Sequence, residues 1–176
     1  PANMAKVVAT AGITGDTLIR PWFGARMQEV TADIADSLGL DVPRGALITE
    51  IAPGGSAEAA EFQAGDVILS LDGAAIDQPS AFDFRLATKP IGAEVEIGYL
   101  RDGREATATL QLQAPPGSGD VVEITGNTRF RGVTVATMTP AIAQELDLSY
   151  SAKGVVVRAV VEGSPAARMG LRSGDI

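Results

Sequence analysis

With neither His nor Cys among its 176 residues, this chain cannot build a Ser–His–Asp triad, a Cys nucleophile or a zinc site of the usual ligand types. Asp and Glu are plentiful, but those that can be placed fall on polar strand faces, helix exteriors or turns. What remains for chemistry is the main chain and a few apolar side chains. Ala25 to Val30 alternates as a strand, with Ala25 and Met27 on one face and Arg26 and Gln28 on the other. Gly24 stands just before it, a residue that permits close backbone approach. Phe82 and Leu86 are spaced i, i+4 and share one helix face. These residues read equally as an ordinary core: a plain turn at Phe23-Gly24, a core strand with Met27 filling a gap, and Phe82 with Leu86 buried beneath it.

Composition narrows the partners. With 45% apolar residues the chain can bury a core. The net charge of −8 sits in residues 20–115, which carry 15 acidic and 7 basic side chains. Nucleic-acid binding is not expected, because phosphate contact needs clustered Lys and Arg. The acids read as a solvated surface, or as a mild bias against acidic peptides. No apolar run approaches the roughly 20 residues that cross a bilayer, so membrane insertion is not expected. Neither a cofactor nor a metal is expected. The absence of Cys suits a cytoplasmic or a periplasmic protein. Pro1 at the start, with no signal segment before it, predicts a fragment or a processed chain.

An internal repeat organises the sequence. Phe23-Gly24-Ala25-Arg26-Met27 recurs as Arg131-Gly132-Val133-Thr134-Val135, and Thr31, Ile34, Ala35 and Leu38 recur as Thr139, Ile142, Ala143 and Leu146. Gly45-Ala46-Leu47-Ile48 recurs as Gly154-Val155-Val156-Val157, and Gly65-Asp66-Val67 as Gly174-Asp175-Ile176. The offset is 108 residues and then 109, a period that means two domains of one fold. The second copy carries only the first half of the pattern. Residues 115–128 between the copies have the Pro and Gly chemistry of a linker. Residues 1–19 stand outside the repeat, with Met4, Val7, Val8 and Ala11 on one face of a short helix.

The first copy, residues 20–114, predicts a mainly β domain with short helices, an α+β, partly open β-sandwich or barrel. Thr31 can cap a helix ended by Gly39, and Thr139-Pro140 repeats the signal. Strands are expected at 46–51 and 67–71, and a helix at 79–88. A hairpin through Asp102-Gly103 should join strands whose inward residues are Val95, Ile97, Tyr99, Ala106, Ala108, Leu110 and Leu112.

The runs Arg20-Pro-Trp-Phe-Gly-Ala-Arg-Met, Ile51-Ala-Pro-Gly-Gly-Ser-Ala and Ala64-Gly-Asp-Val-Ile-Leu-Ser-Leu-Asp-Gly resemble a bacterial PDZ domain. With Pro1-Ala-Asn-Met-Ala and the tandem repeat, the chain looks like the PDZ region of HtrA/Deg (Do-like) serine proteases, residues 1–19 resembling the end of the protease domain. The resemblance implies a bacterial periplasmic parent that is a trypsin-type serine endopeptidase of protein quality control. It implies that this region binds C-terminal or extended apolar peptide segments by strand addition. Trp22, Phe23, Gly24 and Ala25 would form the carboxylate loop, with Arg20 near it, and Met27, Phe82 and Leu86 would line the groove. The second copy, residues 129–176, has the loop Phe130, Arg131, Gly132 and Val133 but no groove helix, so it should not bind peptide this way. Its strand edges should be uncovered, which invites a homo-oligomer or a swapped dimer.

One departure from the pattern stands out. The family has Ala-Gly-Leu where this chain has Ala60-Glu61-Phe62, while the second copy keeps Met169-Gly170-Leu171. Glu61 must take a left-handed conformation at a cost of roughly 1 kcal/mol, or use another turn. Two other readings stay open. The chain could be a PDZ module of another envelope protease or secretion protein. It could also be a structural, oligomerising domain whose groove is blocked by Phe82.

Overall fold

A computed structural model describes residues 20–117 and 119–176, so the helix expected within residues 1–19 lies outside the described residues. The chain divides into two compact units that meet between Pro115 and Pro116.

In the first unit, β1 (Ala25–Glu29), β2 (Ala46–Ile51), β3 (Val67–Leu71), β5 (Glu94–Arg101) and β6 (Arg104–Gln111) form one antiparallel sheet in that order. The two-residue β4 (Ala74–Ala75) pairs with β3 after the Asp72-Gly73 turn. The sheet is open. A single bridge from Trp22 to Gln113 joins the entry of β1 to the exit of β6. Three helices complete the unit: α1 (Ala32–Leu38), α2 (Ser56–Ala59) and α3 (Pro79–Leu86).

Local signals explain these elements. The Thr31 hydroxyl accepts a hydrogen bond from the Ile34 amide, and Gly39, at φ +71°, ends α1 in the left-handed conformation. Pro79 starts α3, where its missing N–H costs nothing. Asp102 and Gly103 both take positive φ in the β5–β6 hairpin, as its twist requires.

The sheet buries both faces. On one, Ile48, Ile68, Leu71, Val95, Ile97 and Leu112 pack with Phe82 and Leu86 of α3. On the other, Val30, Val67 and Leu100 pack beneath Ala35 of α1. Fully burying each large apolar side chain contributes roughly 1.5–3 kcal/mol. Ala106, expected inward, is exposed. Its cross-strand partner Tyr99 reaches the core, edge-to-face on Phe62 at 4.9 Å between ring centres, whereas the methyl of Ala106 stays in solvent.

The second unit holds β7 (Val121–Ile124), β8 (Val133–Thr137) and β9 (Val155–Val160) in an antiparallel sheet, with α4 (Pro140–Glu145) and α5 (Pro165–Arg168). The repeat is structural: β8 matches β1, β9 matches β2, and both pairs carry a bulge at the same place, between Arg26 and Met27 and between Thr134 and Val135. The stretch 115–128, read as linker, contains β7, which covers the β8 edge. The strand edges expected to be uncovered are therefore only partly so: among the described residues β9 has no strand on its outer side. Pro and Gly at 115–119 hid a short β-branched run behind them.

Candidate functional site

β1 is the edge strand of the first sheet, and among the described residues nothing pairs with its outer side. The register fixes which groups face outward. Ala25 lies opposite Ile51, and the Ala52 amide donates to the Gly24 carbonyl at 2.8 Å. That bond belongs to the ring flanking Ala25, so the N–H and C=O of Ala25 itself point away from β2. Among the described residues, the amides of Phe23 and Gly24 donate to no protein acceptor. Three successive amides, at Phe23, Gly24 and Ala25, therefore end the edge with donors to spare. Gly24 at φ +80° turns the chain there, the kind of concavity that receives an anion.

The side chains of this loop serve the protein itself. A Cβ on Gly24 would come within 2.8 Å of the Gly55 Cα, and the Trp22 ring covers both glycines. Gly24 is thus required by internal packing. Trp22 is buried, and its ring is spent on this contact. Ser56, missed in the sequence, anchors the loop: its buried hydroxyl lies 3.3 Å from the Trp22 carbonyl and 3.1 Å from the Gln111 carbonyl, and accepts from the Gln113 amide at 3.2 Å. The Ala57 amide, at the start of α2, donates to the Phe23 carbonyl at 2.8 Å. A Gly-Gly-Ser turn was the available signal, but nothing in it names a partner more than thirty residues away.

The structure brings the expected groove residues together. Ala25, Phe82 and Leu86 belong to one cluster with Phe23, and Met27 packs against it partly buried. Phe82 is 0% exposed and meets Phe23 edge-to-face at 5.0 Å between ring centres. Arg26, on the opposite face, lies 3.7 Å from Glu50 of β2. Arg20 is exposed.

A second polar anchor holds the loop before β3. Asp66, 1% exposed, accepts from Arg101 Nε at 2.7 Å, from Arg101 Nη2 at 2.6 Å and from the Gln63 amide at 2.8 Å. The hydrogen bonds that Arg101 donates to Asp66 raise its already high pKa and keep it charged. Arg101 Nη2 also donates to the Glu61 carbonyl at 2.9 Å. Glu61 does take the left-handed conformation, at φ +58°, and Gly170 takes it in the second unit at φ +86°.

The second-unit loop is built on the same plan. Gly132 stands at φ +90°, its Cβ position occupied by Ser164, which corresponds to Gly55. The Val161 amide donates to its carbonyl at 2.8 Å, as Ala52 does to Gly24. Val133 is buried, Arg131 is exposed and Phe130 is 41% exposed. Among the described residues no cluster of acidic side chains could hold a metal ion, and no helix is long and apolar enough to cross a membrane.

Residues 21–112 match the PDZ domain family. The chain belongs to that family. Over its whole length it is 32% identical to the periplasmic serine endoprotease DegP of Salmonella typhimurium, covering 34% of that protein. It is 33% identical to the periplasmic pH-dependent serine endoprotease DegQ of Escherichia coli, covering 37%. The HtrA-type protease AlgW, solved with a decapeptide, superposes with a TM-score of 0.56 at 26% identity over 66% of this chain and 36% of that one. The chain therefore spans about a third of the relatives it matches, and its resemblance to the HtrA/DegP-type proteases holds from end to end.

Proposed function

We propose that the first PDZ unit captures extended peptide segments at the outer edge of β1 and delivers them to a periplasmic HtrA/DegP-type serine endopeptidase of which this chain is the PDZ region. The observation that carries this is the free edge itself. The N–H and C=O of Ala25 face outward beside the unpartnered amides of Phe23 and Gly24. A peptide adding antiparallel to β1 would bring its terminal carboxylate to those amides. The relatives' names supply the protease and the compartment, and the related HtrA-type protease AlgW was solved with a decapeptide. Ala25, Met27, Phe82 and Leu86 would face the last side chains of the peptide. Binding would either present substrate or, with different affinity for two states of the parent, shift its activity.

A second reading has its own support. Phe82 is wholly buried against Phe23, so the apolar slot under β1 is already filled. On this reading the groove is blocked and the domain spaces or oligomerises its parent.

Titration with peptides bearing a free apolar C-terminus, followed at the amide resonances of Phe23, Gly24 and Ala25, separates the two. Shifts at those amides that vanish on C-terminal amidation are expected. Shifts that survive amidation mean capture of internal segments along the edge. No shift at millimolar peptide sinks the capture reading and leaves the blocked groove.

A further inference from the structure

β7 lies on β8 where, in the first unit, the outer side of β1 is bare. Its pairing is antiparallel over four residues: Val121 with Ala136, Val122 with Val135, Glu123 with Thr134 and Ile124 with Val133. Hydrogen bonds close both ends. The Thr137 amide donates to the Asp120 carbonyl at 3.1 Å, and the Gly132 amide donates to the Ile124 carbonyl at 3.0 Å. Gly132 is the counterpart of Gly24, whose amide has no partner among the described residues. The direction is also that of an added peptide: the C-terminal end of β7 meets the glycine loop at the start of β8. Gly119, at φ +68°, permits the approach, since a Cβ there would sit 2.4 Å from the Thr137 carbonyl oxygen.

We infer that Val121–Ile124 is a built-in ligand of the second unit, an internal strand that occupies its peptide edge and closes it to outside segments. The Ile124 carbonyl takes the loop amide that a terminal carboxylate would otherwise take. The occupant is neutral at that point and needs no free chain end. It is held by proximity, because only residues 125–132 separate β7 from β8, and an intramolecular strand competes at a high effective concentration. The two units then differ in kind: one edge is open, and the other is latched by an apolar, β-branched Val-Val-Glu-Ile segment. The meaning of this difference rests on the reading of β1 as the peptide site, whereas the latch itself can be measured without any peptide.

Amide hydrogen exchange on the intact chain tests it. The Gly132 amide should exchange at least about tenfold more slowly than the Gly24 amide. Free exchange at Gly132, as fast as at Gly24, overturns the latch whatever the first unit binds. Val122→Pro removes a strand donor and should free the edge. In that variant the Gly132 amide should lose its protection while the Val156 amide, which faces Ala136 in the β8–β9 ladder, keeps its own. A synthetic peptide ending in Val-Val-Glu-Ile should then shift the Gly132 and Val133 resonances, which it leaves unmoved in the parent chain. Equal shifts at Gly132 and Gly24 in the parent chain would overturn the proposal. Should the proline variant unfold the second unit, the parent-chain exchange rates still decide.

Discussion

Replacing Glu61 by Gly should stabilise the first unit. Glu61 sits at φ +58°, where a Cβ presses on the backbone, and the matching residue of the second unit is Gly170 at φ +86°. Relief of that conformation is worth roughly 1–2 kcal/mol, and the extra freedom of Gly in the unfolded chain returns about 0.5–1 kcal/mol of it. The net gain is about 0.5–1 kcal/mol. For a domain of this size that is a rise of about 2–8 °C in Tm. The hydrogen bond from Arg101 reaches the Glu61 carbonyl and so survives the change. Trp22 is the single tryptophan and belongs to the first unit, so thermal unfolding followed by its fluorescence reports that unit alone. Glu61→Ala is the control, because it removes the carboxylate and keeps the Cβ. A gain for Gly with none for Ala supports the reasoning. An equal gain for both would place the effect in the side chain, and a loss for Gly would refute the strain argument.

Further substitutions test the site. Gly24→Ala combines a left-handed residue with a 2.8 Å approach to Gly55, and should cost about 2–4 kcal/mol in urea unfolding of the first unit; a neutral result would mean that the loop relaxes freely. Phe82→Ala empties a fully buried site and should cost about 3–5 kcal/mol, whereas Phe82→Leu should cost less and widen the slot beneath Ala25, which a gain in affinity for bulky C-terminal residues would report. Asp83 has its carboxyl pKa raised by desolvation, so it contributes stability below the unfolded pKa that is lost as pH rises through the folded value. Asp83→Asn should therefore be more stable than the parent at pH ~7 and equal to it below pH ~3, measured by denaturation at each pH.

Much of the fold was legible because local signals agreed with tertiary packing. Thr31 and Thr139 both cap helices, Pro79 opens α3, and the 79–88 helix is present as Pro79–Leu86. Alternation marked Val95, Ile97, Leu110 and Leu112 as inward, and all four are buried, but it also placed Ala106 inward. Periodicity assigns a face and does not say whether a side chain as short as that of Ala106 reaches the core from it. Glu61 was legible as a strained residue because its repeat partner is Gly170.

The sequence by itself determined the repeat, the family resemblance, the absence of His and Cys chemistry, and the sites of turns and caps. These depend on residue type at short range or on one copy read against the other. Tertiary structure alone decided that Gly24 is held by Gly55, that Ser56 ties the loop to β6, and that Phe82 packs edge-to-face on Phe23. It alone decided that β7 covers the edge of β8 while β1 stays bare. The reason is physical: a strand's side chains declare its faces, but its edges are made of main-chain groups that every residue carries alike, so their partners are set by register and chain path, not by residue type.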